Sequence, residues 1–341
     1  MNSAKSTGLL NSVKQSPGLT DPFGRTIDYL RLAITDRCNL RCTYCMPADG
    51  IDLKPHSHIL TFEELQRVVG IFSTLGVRKI RITGGEPFVR KGAMDFIENL
   101  NSINQIDSIN VTTNAVFIDD FLNRLSAIKI DSLNISLDSL QKDIFYKITR
   151  RDDFERVWQN IQKAMQTDIA VKLNMVVMGG LNDNEIIDFA QLSKEYKIEV
   201  RFLEQMPFSG GSEIAGFVSA EEILQKLETA YPKLNEEYRL NSTARIFQVP
   251  GYAGKIGIIA GYSRTFCDSC TRIRITPQGE LKTCLYDYSA VDLRAMLRNG
   301  KNDSEIQSAI LSAVQNRAKD GFESQKRAKQ IYSLSMAQIG G

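Results

Sequence analysis

The sequence predicts an α/β fold: an incomplete (βα)6 TIM-like barrel with a C-terminal domain that closes it. Three observations carry this reading. Strand and helix patterns alternate six times between residues 28 and 206, which implies a parallel sheet wrapped by helices. Alternate strand positions are polar, where an ordinary barrel interior is branched and apolar. After residue 206 the alternation gives way to hairpin patterns around a second group of cysteines. A full barrel uses eight units in roughly 250 residues, so six units leave it open.

Residues 1–20 are rich in Ser, Asn and Gly and read as a disordered leader, neither a signal peptide nor a membrane span. Residues 21–240 are expected to form the barrel, and 241–341 the C-terminal domain with a Gly-Gly tail. Strands are expected at Tyr29–Thr35, Lys79–Thr83, Ser108–Thr112, Ser132–Leu137, Ala170–Val177 and Ile198–Leu203. The clearest helix opens at Thr61, with Glu64 at the capping-box position and Leu65, Val68, Val69 and Phe72 on one face. Beyond residue 206 a helix near Ala220–Ala230 precedes a hairpin, Ala244–Val249 with Lys255–Ala260. A second hairpin starts at Arg272–Thr276, turns at Pro277-Gln278-Gly279 and returns to Cys284. Helices at about Ala290–Arg298 and Ser304–Ala318 follow. On physical grounds alone the last residues, Met336–Gly341, read as a frayed end.

The faces of the strands say what the barrel holds. Outward positions such as Leu30, Leu32, Ile80, Ile82, Val111 and Leu133 are apolar. Inward positions carry Arg31 and Thr35, then Lys79, Arg81 and Thr83, then Asn110, Thr112, Asn134 and Ser136. Lys172, Asn174, Glu199 and Arg201 complete the set. Polar groups are not buried unpaired, so the lumen must admit water and ligand. The inward cations Arg31, Lys79, Arg81, Lys172 and Arg201 suit a polyanion such as a triphosphate; ion pairing with barrel carboxylates is the alternative. No G-x-x-x-x-G-K-[ST] loop is present, so a nucleotide would not be held as in P-loop enzymes. A net charge of +2 on 341 residues gives no global reason to expect nucleic acid or a membrane.

All six cysteines fall in two triplets, Cys38, Cys42 and Cys45, then Cys267, Cys270 and Cys284. Three thiolates suit a four-iron cluster left one ligand short, so that the open iron can hold a small molecule. A catalytic zinc keeps an open position in the same way, whereas electron-transfer clusters are normally closed by four cysteines. A structural zinc site would need a fourth ligand, and the only histidines, His56 and His58, share one loop. Disulfides would imply an oxidising compartment, for which no export signal speaks.

The first triplet, C-x3-C-x2-C in Asp36-Arg37-Cys38-Asn39-Leu40-Arg41-Cys42-Thr43-Tyr44-Cys45, resembles the signature of radical S-adenosylmethionine (SAM) enzymes. Thr83-Gly84-Gly85-Glu86-Pro87, Thr112-Thr113-Asn114, Asn134-Ile135-Ser136-Leu137-Asp138, Val171-Lys172-Leu173-Asn174 and Arg201-Phe202-Leu203-Glu204-Gln205-Met206 extend the match. The distal Cys267-x2-Cys270-x13-Cys284 with Thr271-Arg272-Ile273-Arg274 and the Gly-Gly end narrow it. Over residues 21–341 the chain resembles the GTP 3',8-cyclase family of molybdenum cofactor synthesis. One departure is Ala115, where that family usually has glycine.

The resemblance implies a fold of the radical SAM type and two 4Fe-4S clusters. The first would be held by Cys38, Cys42 and Cys45. The second, held by Cys267, Cys270 and Cys284, would bind the guanine edge. Tyr44, Gly85, Ser136 and Met206 would line the SAM pocket. Arg31, Lys79, Arg81, Thr112, Lys172, Arg272 and Arg274 would surround GTP, with Arg31, Arg272 and Arg274 catalytic. Conversion of GTP to 3',8-cyclo-7,8-dihydro-GTP would accompany cleavage of SAM to methionine and 5'-deoxyadenosine. A flavodoxin- or ferredoxin-type electron donor, a downstream cyclic pyranopterin monophosphate synthase, a homodimer and a cytoplasmic location are implied too. Against physics, the resemblance also brings Gly340-Gly341 into the site. A peptide-modifying maturase would carry more distal cysteines. A ferredoxin-like carrier would be shorter with closed clusters, and a cysteine-rich nucleic-acid module would be more basic.

Overall fold

A computed structural model gives the fold and describes residues 18–128, 130–208, 216–240, 242–328 and 335–340. The expected leader therefore lies outside the described residues up to position 17, as does Gly341 of the tail.

The chain runs β1 (Tyr29–Ala33), α1 (Phe62–Thr74), β2 (Lys79–Thr83), α2 (Ala93–Leu100), β3 (Ser108–Thr113) and α3 (Leu122–Ala127). It continues with β4 (Ser132–Ser136), α4 (Lys142–Thr149), α5 (Phe154–Met165), β5 (Ala170–Val177), α6 (Ile186–Glu195) and β6 (Glu199–Glu204). Helix α1 starts where its capping box requires. Thr61 accepts from the Glu64 amide, Glu64 answers the Thr61 amide, and Leu65, Val68, Val69 and Phe72 are buried. The outward residues Leu30, Leu32, Ile80, Ile82, Val111 and Leu133 are wholly buried, each contributing about 1.5–3 kcal/mol. Strands β1 to β6 pair in parallel in sequence order.

After α7 (Ala220–Ala230) come β7 (Asn235–Glu237), β8 (Arg245–Gln248), β9 (Lys255–Ile259), β10 (Arg272–Ile275), β11 (Glu280–Lys282) and β12 (Val291–Asp292). Helices α8 (Leu293–Arg298), α9 (Asp303–Gln315), α10 (Gly321–Ala328) and α11 (Met336–Ile339) end the described chain. Both expected hairpins form, β8 with β9 and β10 with β11.

The hairpins do more than the sequence implied, because they extend the barrel sheet itself. β10 lies parallel to β1 and β9 parallel to β6, giving one twelve-stranded sheet whose outer strands are β12 and β7. The physical reason is that the edges of a six-stranded sheet leave rows of backbone donors and acceptors unpaired. Ile256 and Ile258 on β9, and Ile273 and Ile275 on β10, continue the buried outward layer. Since β9 and β10 are consecutive, the link over residues 260–271 spans the gap between the two barrel edges. That link carries Cys267 and Cys270.

Glu204, at the end of β6, fastens this closure. Its buried carboxylate accepts from the amides of Ala220, Tyr262 and Ser263 and from the Ser263 hydroxyl, at 2.7–2.9 Å. Glu204→Gln turns an amide NH2 toward donors that need an acceptor. We expect it to cost roughly 1.5–3 kcal/mol, read as a lower denaturation midpoint of the cluster-free protein. An unchanged midpoint would show that Glu204 does not hold the link.

Candidate active site

A cavity of about 390 Å³ opens in the barrel lumen and is lined by all six cysteines, a size usual for ligand sites. The cysteines are free. Among the described residues no three His, Cys, Asp or Glu side chains are grouped to hold a single metal ion. The donor set at each end is three thiols, the ligand chemistry of iron–sulfur clusters. His56 is exposed and meets the Arg37 side chain at 2.6 Å, away from the cavity lining.

At one end stand Cys38, Cys42 and Cys45 with Tyr44, Gly85, Ser136 and Met206. The Gly84-Gly85 turn presses directly on the first cysteine loop. The Gly85 amide donates to Thr35 O at 2.7 Å, and the Glu86 amide to Arg37 O at 2.8 Å. A Cβ on Gly84 would lie 2.5 Å from Thr35 O, and one on Gly85 2.3 Å from Arg37 O, so no side chain fits. Glu86, fully buried, accepts from Thr113 Oγ1 at 2.8 Å and the Asn114 amide at 2.7 Å. Asn114 Nδ2 in turn reaches Asn39 Oδ1 at 2.9 Å and Cys38 Sγ at 3.7 Å. Next to Asn114, Ala115 holds φ at 63°, so the turn keeps a conformation that glycine takes more readily.

Burial pushes the Cys38 thiol up to about 12, with Glu86 adding to the rise, and Cys45 up to about 11. Coordination to iron would remove those protons. Burial also raises Asp138 to about 6, against hydrogen bonds from the Val176 amide and the Tyr44 hydroxyl.

At the other end Cys267 Sγ accepts from the Gly321 amide at 3.4 Å. Cys270 Sγ accepts from Arg272 Nη2 at 3.3 Å and Arg317 Nη2 at 3.2 Å. Burial alone would raise the Cys270 thiol, but the Arg272 and Arg317 guanidiniums outweigh it and bring it down to about 6. Cys284 lines the same wall.

Between the two ends lies a row of arginines. Strand register places Arg31 opposite Arg274 on one side and opposite Arg81 on the other, and all three line the cavity with Thr112, Arg201 and Arg272. Like charges side by side on neighbouring strands repel. Burial, with Arg274 and Arg81 beside it, moves Arg31 well below the ordinary arginine range. Burial also carries Arg274 down to about 10, Arg272 adding to the drop. Guanidiniums stay protonated, so these shifts register an unfavourable field that a polyanion would relieve. Arg81 also donates to Tyr29 Oη at 2.5 Å and to Thr112 Oγ1 at 3.3 Å.

Two of the expected phosphate cations stand apart from the lining. Lys79, the first residue of β2, is half exposed and pairs with Asp28 at 3.1 Å. Lys172 lies one strand from Glu199, which binds Arg201 at 2.5 Å and Arg239 at 2.9 Å. Burial and the Arg201 charge lower Lys172 to about 8. Ion pairing, the alternative reading of the inward cations, thus holds for Lys79 and Arg201.

The C-terminal segment is built into the site. Ser335 caps α11 and its hydroxyl donates to Cys45 O at 2.6 Å, while Met336 and Ala337 line the cavity. Ile339 is buried, and Gly340 O accepts from Thr83 Oγ1 at 3.1 Å. Residues not anticipated from the sequence include Asp138 against Tyr44, Arg317 against Cys270, and Arg264. Arg264 stacks its guanidinium over Tyr286 at 3.6 Å and Phe322 at 4.3 Å. Asp138 sat inside a recognised motif, whereas nothing local marks Arg317 or Arg264.

Comparison with known proteins gives the family. Residues 32–193 match the family model of the Radical SAM superfamily, and 198–323 that of Molybdenum Cofactor Synthesis C. The GTP 3',8-cyclase of Desulforamulus reducens is 41% identical over 95% of this chain and 100% of its own length. That of Clostridium perfringens strain 13 is 38% identical over the same shares. Molybdenum cofactor biosynthesis protein 1 of Dictyostelium discoideum is 43% identical over 87% of this chain, which spans 48% of that longer protein. The crystal structure of Streptococcus suis SuiB bound to S-adenosylmethionine superposes with a TM-score of 0.57 at 14% identity, over 82% of this chain and 68% of that one. At that identity it speaks for the fold alone, a radical SAM-type partial barrel. With cyclases matched from end to end at about 40% identity and both halves recognised, the chain belongs to the GTP 3',8-cyclase family of radical SAM enzymes.

Proposed function

We infer that the chain converts GTP to 3',8-cyclo-7,8-dihydro-GTP while SAM is cleaved to methionine and 5'-deoxyadenosine, the first step of molybdenum cofactor synthesis. The observation that carries this reading is the Arg274–Arg31–Arg81 row set between two cysteine triplets in one lumen. A triphosphate would bring negative charge to that row.

Cys38, Cys42 and Cys45 would hold the SAM cluster, and Cys267, Cys270 and Cys284 the second one. When bound, the clusters and SAM supply one-electron and hydrogen-abstraction chemistry. The chain's own part is to hold, orient and dry the reactants. Tyr44, Gly85, Ser136 and Met206 form the SAM wall, with Asp138 fixing the Tyr44 hydroxyl at 2.8 Å. Arg31, Lys79, Arg81, Thr112, Lys172, Arg272 and Arg274 would surround GTP, and Arg31, Arg81, Thr112, Arg272 and Arg274 of these line the cavity. Asn134 Oδ1 and Asn174 Oδ1 are buried without a hydrogen-bond partner and belong to residues lining the lumen, so a ligand donor would satisfy them. The division at residue 240 is then functional rather than architectural, because the sheet runs across it.

No helix among the described residues is long and apolar enough to cross a membrane. We place the enzyme in the cytoplasm, as a homodimer reduced by a flavodoxin- or ferredoxin-type donor. Its product would pass to a cyclic pyranopterin monophosphate synthase.

The test is anaerobic turnover of the reconstituted protein with SAM, dithionite and GTP deuterated at C3'. The product has the atoms of GTP rearranged, so it must be resolved by chromatography as well as mass. We expect a new GTP isomer and deuterium in 5'-deoxyadenosine. SAM cleavage without either would overturn the reading.

The phosphate assignment can be tested at single cations. Arg81→Ala should weaken GTP binding by about 1.5–3 kcal/mol while sparing guanosine, because it removes a charge-assisted phosphate contact. Lys172→Ala, whose side chain sits within the field of Arg201 and Arg81, should do the same. Equal losses for GTP and guanosine, measured by equilibrium dialysis, would refute the phosphate assignment.

A further inference from the structure

Behind the second cysteine triplet lies a buried ion triad that the cavity does not include. Asp21 Oδ2 meets Arg25 Nε at 2.6 Å and Arg317 Nη1 at 3.3 Å, with at most 6% of any of the three side chains exposed. Asp21 Oδ1 accepts from the amides of Phe23 and Arg25, both at 3.0 Å. Two guanidiniums on one carboxylate leave a net positive charge in the interior. Breaking even with a hydrophobic replacement is hard for such a set, so stability alone is a poor reason for it.

Both arginines reach past Asp21 to the cysteine loop. Arg25 Nη1 donates to Cys267 O at 3.0 Å, and its other contacts hold Ala318 O and Lys319 O at 2.8 and 2.6 Å. That pins the segment leading to Gly321, whose amide faces Cys267 Sγ. Arg317 grips Cys270 twice, through Nη1 to its carbonyl at 3.0 Å and through Nη2 to its sulfur at 3.2 Å. Arg317 Nη2 also bonds Arg272 O at 3.2 Å. The first triplet has a different donor: Cys38 Sγ faces the neutral amide of Asn114 at 3.7 Å.

We propose that Asp21, Arg25 and Arg317 form a positioning unit for the second cluster, in which Arg317 sets its reduction potential through the charged hydrogen bond to the Cys270 sulfur. The proposal rests on reading Cys267, Cys270 and Cys284 as cluster ligands. Three thiolates outweigh the charge of an oxidised four-iron core by one, and that of the singly reduced core by two. A fixed positive charge and N–H donor at a ligand sulfur therefore favour the reduced state. The unit draws its parts from residues 21–25 and the segment after α9 and grips the barrel-closing link through Cys267 and Cys270, so it also ties the second cluster's loop to the fold.

The test is an EPR-monitored redox titration of the full-length reconstituted enzyme, the first cluster being marked by its response to SAM. Arg317→Met should move the second cluster's midpoint to more negative values and leave the first unchanged. Asp21→Asn removes the negative member of the triad and should move the second midpoint the opposite way. A merely structural role would shift both variants in one direction or neither, and either result overturns the proposal. If Arg317→Met cannot keep the second cluster, Arg317→Lys takes its place: retained iron near the wild-type midpoint supports the proposal, and iron loss equal to that of Arg317→Met overturns it. A wild-type protein that binds only the first cluster, by iron count and EPR, would instead defeat the ligand reading on which the proposal stands.

Discussion

Cys42→Ala is expected to abolish SAM cleavage and leave about half of the iron, since two clusters of equal size are held by separate triplets. Cys270→Ala should lose a similar share of iron, keep SAM cleavage uncoupled from GTP, and end cyclisation. The separation follows from the fold. Cys38, Cys42 and Cys45 sit on the loop after β1, pressed by the Gly84-Gly85 turn. Cys267 and Cys270 sit on the link that crosses between the barrel edges, held by Arg25, Arg317 and Gly321. The residues holding one loop do not hold the other, so each should load alone. Iron analysis, EPR and product chromatography on the two variants check this. Complete loss of iron in both would mean one shared metal site.

How much of this was legible in the sequence depends on the range of the interaction. The six strands, helix α1 with its capping box and both hairpins are local patterns, and they lie within a few residues of where periodicity puts them. Inward Arg31, Arg81 and Arg201 follow from the two-residue period of a strand. Lys79 shares that period, yet it stands at the barrel's lower rim beside Asp28, and alternation gives a side chain's face but not its height in the lumen. Attachment of β9 and β10 to the two barrel edges was not legible, because partner choice is a property of the assembled sheet. Arg317 and Asp21 are separated by 296 positions, and no window of sequence reveals such a pair. Gly84-Gly85 was legible as a constraint, but the structure supplies another reason for it. The turn packs against the Thr35–Cys38 backbone, in addition to lining the cavity.

Physics and family resemblance disagreed most sharply at the C-terminus, and the largest remaining effect is expected there. Deleting Gly340 and Gly341 should leave folding, both clusters and SAM binding intact while cyclisation falls by on the order of a hundredfold or more, the scale of a displaced reacting group. A frayed end would show none of the order seen before it. Ser335 caps α11 against Cys45 O, Ile339 is buried, and Gly340 adopts φ 88° with its carbonyl on Thr83 Oγ1. Thr83 and Ala33 end β2 and β1, the strands that carry Arg81 and Arg31. The tail therefore meets the ends of the strands that carry the arginine row. Gly340→Val provides the second arm: its Cβ would fall 2.9 Å from that of Ala33, in a left-handed conformation that valine resists. That variant should lose cyclisation as the deletion does, through displacement rather than absence of the tail. Both variants are to be assayed for iron, for SAM cleavage and for the GTP isomer. Full cyclisation by the truncated protein would restore the frayed-end reading, whereas loss confined to cyclisation assigns the tail to the GTP side of the lumen.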